Sequence, residues 1–183
     1  MIQPADLFEF CPRCANPRTV KAGQIPFQCA GCGLTLFFNP TLAACAFISD
    51  QQGRLLFIRR AKEPAKGKLA IPGGFVDFGE SAEAAVVRET REEVGLELST
   101  FQFLGSWPNQ YTYQGVTYSV CDLVFTATAV EPEAALALDA VAEIVWRHPH
   151  DVDPEELAFP SVRHGWQRLC LNAVDNSWDL RGT

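Results

Sequence analysis

Residues 73–96 read Gly73-Gly74-Phe75-Val76-Asp77-Phe78-Gly79-Glu80-Ser81-Ala82-Glu83-Ala84-Ala85-Val86-Val87-Arg88-Glu89-Thr90-Arg91-Glu92-Glu93-Val94-Gly95-Leu96. Two glycines after Pro72 mark a tight turn where the backbone can approach a ligand with no Cβ in the way. Ser81 has the chemistry of an N-cap, and Gly95 that of a helix stop. Between them lies one helix of about four turns. Glu89, Glu92 and Glu93 fall at i, i+3 and i+4, so the three carboxylates leave one face. Ala82, Ala85 and Val86 continue that face toward the N-terminus, so it is not simply a solvated surface.

Like charges at this spacing cost about 0.2–0.5 kcal/mol per pair. From Asp77 to Glu97 seven acidic residues stand against two arginines, net −5 of the chain's formal −7. Carboxylates gathered beside small apolar residues and a glycine turn need a compensating cation. All-oxygen ligation selects a hard ion, Mg²⁺ or Mn²⁺. A lone E-x-x-E-E would read more simply as an exposed helix laced by ion pairs. The wider spacing decides otherwise. Gly74, then Glu80 after five residues, then Arg88-Glu89-Thr90-Arg91-Glu92-Glu93-Val94-Gly95-Leu96 after seven more, resembles the Nudix box of the Nudix hydrolases. Thr90 stands where that pattern usually has an aliphatic residue, a difference that bears on packing and not on chemistry.

The chain's 183 residues, 48% of them hydrophobic, suffice for one ordinary domain and a small one. No apolar run is long enough to span a membrane. Met1-Ile2-Gln3-Pro4-Ala5-Asp6 carries no basic region followed by an apolar stretch, so no secretory signal is expected. An acidic chain without a basic run disfavours nucleic acid as a partner. Seven cysteines, an odd number, argue against a disulfide framework and for a reducing cytoplasm.

Residues 1–38 are expected to form a small metal-stapled module. Cys11-Pro12-Arg13-Cys14 and Cys29-Ala30-Gly31-Cys32 are two C-x-x-C knuckles that can close tetrahedrally on one Zn²⁺. So short a segment has too little core to fold alone, so the metal would supply most of its folding free energy. Four protein ligands leave no open position, which makes the site structural. A redox C-x-x-C pair is disfavoured because no βαβ pattern surrounds either copy. Spacing alone leaves iron of the rubredoxin type open. A zinc ribbon ahead of a Nudix domain is a known arrangement in that family, and Phe37-Phe38-Asn39-Pro40 resembles its usual exit.

Residues 39–183 are expected to form the larger domain. Leu42–Ile48 is a continuous apolar run, as in a strand buried on both faces. Asp50–Gly53 turns the chain, and Arg54–Arg59 returns as a hairpin partner. Arg59, Arg60, Lys62, Lys66 and Lys68 form the most basic stretch, placed where a phosphate oxygen could land. Leu96–Leu104 reads as a strand. Trp107–Gly115 reads as an aromatic, turn-rich loop whose Tyr111 could stack on a base. Val116–Ala129 is a long strand in which Asp122 is expected to hold an internal hydrogen bond. Residues 131–139 read as a loop and Ala142–His148 as a strand. A final helix from about Ser161 to Val174 would bury Val162, Trp166, Leu169, Cys170 and Ala173. Cys45, Cys121 and Cys170 read as small core residues.

This order resembles the Nudix α/β/α sandwich with its mixed sheet, over roughly residues 39–175. The resemblance implies a Mg²⁺-dependent hydrolase of a nucleoside diphosphate linked to another moiety. It implies Glu89, Glu92 and Glu93 as ligands, with Glu89 or Glu92 as base and the Gly73 carbonyl completing the coordination sphere. Glu80 and Arg88 would brace the loop against the helix, with Gly74 at the turn. In some members the base lies on a later loop, for which Glu143 and Asp139 are the candidates. Arg59, Tyr111 and Glu143 are the expected substrate contacts. Zinc-bearing Nudix NAD(H) pyrophosphatases carry S-Q-P-W-P-F-P-x-S beyond the box, and Gly105-Ser106-Trp107-Pro108-Asn109-Gln110-Tyr111 departs from it. ADP-ribose or a similar small nucleotide is therefore the expected substrate. The alternatives are an NAD(H) pyrophosphatase-like or RNA-cap-removing enzyme and, in another class, a non-catalytic nucleotide-sensing module. A homodimer is left open, since dimers are common in the family.

Overall fold

The computed structural model describes residues 1–19 and 21–174. The chain packs as two compact units, Met1–Thr41 with Gln110–Val120, and Leu42–Asn109 with the chain from Cys121 onward. In the first, β1 (Phe27–Gln28) pairs antiparallel with β2 (Thr35–Leu36). Its core is small: Cys11, Phe27 and Cys29 are buried, with Phe8, Leu34, Leu36 and Phe38 packed against them. Residues 110–120 belong to this unit because the Thr117 amide donates to the Ile2 carbonyl across 2.7 Å. The unit therefore holds more of the chain than the 1–38 module expected from the cysteines.

The larger sheet contains β3 (Thr41–Ser49), β4 (Leu55–Arg60), β5 (Leu69–Ala70), β6 (Gly73–Phe75), β7 (Leu98–Tyr113), β8 (Val116–Ala129) and β9 (Val141–Arg147). Five strands run in the order β5-β4-β3-β8-β7, with β6 paired to β3 and β9 to β4. β3 with β4 and β6, and β4 with β5 and β9, are antiparallel, whereas the bridge between Leu69 and Leu157 is parallel.

Strand periodicity divides the core. Ala44, Ala46 and Ile48 of β3, with Leu56 and Ile58 of β4, pack with Ala85, Val86 and Val94 of helix α1 (Ala82–Val94). The intervening Phe47, Leu55 and Phe57 pack with Val162, Trp166 and Leu169 of helix α2 (Pro160–Val174). One helix on each face makes the expected α/β/α sandwich. Cys170 packs at the edge of the α2 layer as expected, while the side chain of Ala173 lies outside the described residues. Each fully buried Val, Leu, Ile or Phe side chain in these layers contributes about 1.5–3 kcal/mol.

One expectation is corrected. The stretch read as a loop from Trp107 is strand through Tyr113, so Tyr111 lies on β7. The turn is confined to Gln114 and Gly115, both with positive φ (48° and 79°), the conformation a two-residue hairpin turn needs. Gly105, Pro108 and Asn109 look like turn residues, yet Pro108 is tolerated because β7 is an edge strand. Trp107 packs beneath α2. Asp122 behaves as expected: its carboxylate accepts from Asn109 Nδ2 (2.8 Å) and from Ser161 Oγ.

Candidate active site

Helix α1 begins where its sequence says it should. Ser81 Oγ accepts from the Ala84 amide at 3.1 Å, and Gly95, at φ 71°, donates its amide to the Arg91 carbonyl. The caps set the helical phase, which turns Ala85, Val86, Thr90 and Val94 into the core. Glu89 and Glu93 follow at the margin of that face, half-buried, while Glu92 is exposed.

The glycine turn meets this margin. β6 pairs with β3 so that Gly73 lies opposite Cys45 and Gly74 opposite Ala44. A Cβ on Gly73 would stand 2.3 Å from the Ala44 carbonyl oxygen, so no larger residue fits against β3. A Cβ on Gly74 would stand 2.3 Å from Glu89 Oε1, so the missing side chain is what lets that carboxylate reach the turn. The Gly73 amide donates to Glu93 Oε2 at 3.0 Å. Burial, reinforced by the Glu89 charge, pushes the Glu93 carboxyl up to about 8, despite the Gly73 hydrogen bond and the Arg60 charge.

Arg88 organises the remaining acids. Its Nε and Nη2 each donate across 3.0 Å to Glu80, a two-pronged pairing, and the Asp77 amide donates to the same Glu80 carboxylate. Its Nη1 donates to Glu89 at 2.8 Å and to Glu92 at 3.3 Å, and its Nη2 to the Phe75 carbonyl at 3.0 Å. The Arg88 side chain thus ties helix to turn, and holds the Glu80 carboxyl below its usual range.

The donors fit a hard divalent cation by chemistry: carboxylate oxygens crowded at a turn, one pair bonded to a single arginine and one acid poorly neutralised. The glutamates are not converged on a point, since Glu92 is turned outward to Arg88. Among the described residues, the converged cluster of metal-ligating groups is Cys11, Cys14, Cys29 and Cys32, whose sulfurs all lie within 4.8 Å of one another. Cys11 and Cys32 sulfurs are 3.7 Å apart, and those of Cys14 and Cys29 3.6 Å. Sulfurs about 2.3 Å from a tetrahedral ion stand about 3.8 Å apart, so this cradle fits one. Backbone amides of Cys32 and Gly31 lower the Cys29 thiol, whereas hydrogen bonds from the neighbouring sulfurs raise that of Cys14.

The expected substrate contacts divide. Arg59 and Glu143 are brought together: Arg59 Nε donates to Glu143 at 2.7 Å and its Nη1 to the Gly67 carbonyl. Tyr111 lies in the other compact unit. Asp139 faces Lys62 at 3.4 Å, exposed. Residues 131–139 form the expected loop after β8, but sequence reasoning missed what it closes. Its amides at Leu136, Leu138 and Asp139 donate to the carbonyls of Val94, Glu93 and Glu92, the open C-terminal end of α1. Such bonds follow the backbone path and carry no side-chain signature. Asp77, 3.8 Å from Arg88, was likewise invisible as a partner.

The family model for the NUDIX domain matches residues 39–165, and the chain belongs to the Nudix family. It is similar to proteins named NAD-capped RNA hydrolase NudC. That of Chromobacterium violaceum is 36% identical over 101 residues, covering 54% of this chain and 37% of that protein. That of Pseudomonas aeruginosa is 30% identical over 139 residues, covering 75% and 46%. The chain spans half or less of the length of these curated relatives. Among solved structures, a MutT Nudix hydrolase from Burkholderia pseudomallei gives a TM-score of 0.55 at 29% identity, covering 63% of this chain and 88% of that one. A Nudix hydrolase from Nitrosomonas europaea gives 0.69 at 18% identity, covering 92% and 93%. The Nudix domain of Shewanella oneidensis NrtR, complexed with ADP ribose, gives 0.60 at 23%, covering 74% and 90%. The last two show a shared fold. Among the described residues no helix is long and apolar enough to cross a membrane.

Proposed function

We propose that this chain is a Mg²⁺- or Mn²⁺-dependent pyrophosphohydrolase acting on a nucleoside diphosphate linked to another moiety. The observation that carries the reading is the meeting of Glu89 and Glu93 with Gly74 and Gly73 under the Arg88 clasp. Glu89, Glu92 and Glu93 would hold the cation, with the Gly73 carbonyl as a further oxygen. When bound, such a cation polarises a phosphoryl oxygen and lowers the pKa of water. The residues supply the rest. The Gly73 amide orients Glu93, the absent Cβ at Gly74 admits Glu89, and Arg88 braces Glu89 against Glu80. Glu89 or Glu92 takes the proton of the attacking water. The Arg59–Glu143 pair offers a cation and an anion to the substrate. The four cysteines hold a structural Zn²⁺, and the odd cysteine count supports a reducing, cytoplasmic setting.

ADP-ribose or a small nucleotide like it is the favoured substrate, because residues 105–111 depart from the NAD(H) pyrophosphatase pattern. The NudC relatives favour a second reading, an NAD-linked substrate, free or on RNA. Phosphate-release assays with Mg²⁺ over ADP-ribose, NADH, dinucleoside polyphosphates, oxidised nucleotides and NAD-capped RNA separate the two. Glu92→Gln and Glu93→Gln are expected to remove most turnover while the fold survives. Unchanged turnover in both variants would count decisively against the assignment of these glutamates, and turnover of none of the panel by the wild type would favour a sensing module.

A further inference from the structure

The smaller compact unit holds a cavity of its own, of about 280 Å³, and every residue lining it belongs to that unit. No lining residue is charged. Two of them are aromatic rings with no ring partner among the described residues: Phe37, 68% exposed, and the half-buried Tyr118. The adjacent Phe38 is different, because its ring meets Phe8 edge-on at 5.1 Å and belongs to the unit's core. Four polar groups line the same cavity, the Asn39 amide and the hydroxyls of Thr41, Tyr118 and Ser119. None of these side chains hydrogen-bonds to another described residue. A lone exposed ring needs no explanation. Two unpartnered rings around one concavity, beside four unpartnered polar groups, have the make-up of a small-molecule site.

We propose that this cavity binds an adenine base. The neutral lining selects a neutral moiety, since a charged one would lose its water without compensation. Flat aromatic faces stack on a base of any sequence. The Asn39 amide sets an acceptor and a donor side by side, which matches the N6–H donor and N7 acceptor of adenine. Hydroxyls at Thr41, Tyr118 and Ser119 can donate or accept, as a ribose requires. The volume lies just below the roughly 300 Å³ at which sites for drug-sized ligands begin, so one nucleoside fits and little more. An apolar peptide side chain would leave all four polar groups unanswered. Charge permits a phosphate on the base. Residues 1–41 and 110–120 carry Arg13, Arg18 and Lys21 against Asp6 and Glu9, net +1 in a chain of net −7. The adenine can come from a free nucleoside or nucleotide, or from a single strand of RNA. Its binding here does not depend on the hydrolase reading, whose glutamates lie in the other unit.

The test titrates the full chain, without added Mg²⁺, with adenosine, inosine and oligo(A) RNA, and follows backbone amide chemical shifts. Adenosine is expected to move the amides of residues 25, 37–41 and 118–119, and to bind about ten-fold tighter than inosine, which lacks the N6–H donor. Phe37→Ala should weaken adenosine binding about ten-fold. Asn39→Ala should bring adenosine down to the affinity of inosine, and Glu92→Gln should bind adenosine as the wild type does. Oligo(A) that binds about ten-fold tighter than adenosine through the same amides makes a single strand the source, and equal affinity makes it the free nucleoside. Shifts confined to residues 73–96, no shift at all, or inosine binding as tightly as adenosine overturns the proposal, as does affinity that both alanine variants retain. Should either variant fail to fold, the wild-type shifts decide: movement at the cavity supports the site, and movement only elsewhere overturns it.

Discussion

Gly74 and Glu89 are so close that a Cβ on the glycine would lie 2.3 Å from Glu89 Oε1 and 2.4 Å from its carboxyl carbon. The neighbouring Gly73 is equally intolerant for a different reason, because its obstacle is the Ala44 carbonyl and Cys45 of β3.

The two glycines should therefore fail differently. At Gly74 the obstacle is the end of a flexible side chain, so Gly74→Ala should cost under about 1 kcal/mol of stability. It should displace Glu89, and a displacement of about 1 Å can lower turnover on the order of 10²-fold. Gly73→Ala must move backbone, and overpacking of that kind costs about 1–3 kcal/mol or more. Urea denaturation and activity measured on both variants check the contrast. Equal loss of stability in the two would refute it.

Thr90 is fully buried on the packing face of α1, and its Oγ1 is the buried side-chain atom without a hydrogen-bond partner among the described residues. Leaving such a group unpaired costs about 1–3 kcal/mol. Thr90→Val keeps the shape and removes the hydroxyl, so the urea midpoint should rise, with an unchanged slope, by about 1 kcal/mol of stability. A lower midpoint would mean the hydroxyl has a partner, such as a water.

Asp122 is 6% exposed, and burial raises its carboxyl pKa more than the bonds from Ser161 and Asn109 lower it. A folded pKa above the unfolded value of about 3.9 means that protonated Asp122 favours the fold. That contribution is complete below about pH 3.9 and is lost as pH rises through the raised value. Asp122→Asn does not titrate, so its stability relative to the wild type should rise across that window and then level off. Denaturation from about pH 4 to about pH 8, the range over which buried carboxyls titrate, reads the trend. A pH-independent difference would remove the burial argument.

Removing one sulfur from the cysteine cradle should undo the first unit's small core. In Cys11→Ser or Cys29→Ser, zinc content by elemental analysis should fall and amide exchange over residues 1–38 should quicken. The Mg²⁺ or Mn²⁺ dependence of the active site should persist. A wild type that contains no zinc, with exchange unmoved by a chelator, would sink the structural-metal assignment.

The box helix was legible because everything that defines it is local. Ser81, Gly95, and the spacing of Ala85, Val86 and Val94 determine its ends and its buried face, and an N-cap or a helical period needs no distant partner. The cysteine pairs were legible for a related reason, since each C-x-x-C knuckle is one turn of chain. The extent of β7 was not, because Gly105, Pro108 and Asn109 carry turn chemistry and only pairing with β8 overrides it.

The sequence by itself determined the acid-bearing helix, the glycine turn and the four sulfurs, together with the sandwich that their order resembles. Tertiary structure alone decided that Arg88 would join Glu80, Glu89 and Glu92 at once, and that Arg59 would be tied to Glu143. It also decided that the loop at Leu136–Asp139 would close the end of α1, and that a long neutral strand would be left at the sheet's rim. Those outcomes depend on contacts between residues far apart in the chain, and long-range pairing is set by how faces bury, which no local pattern encodes.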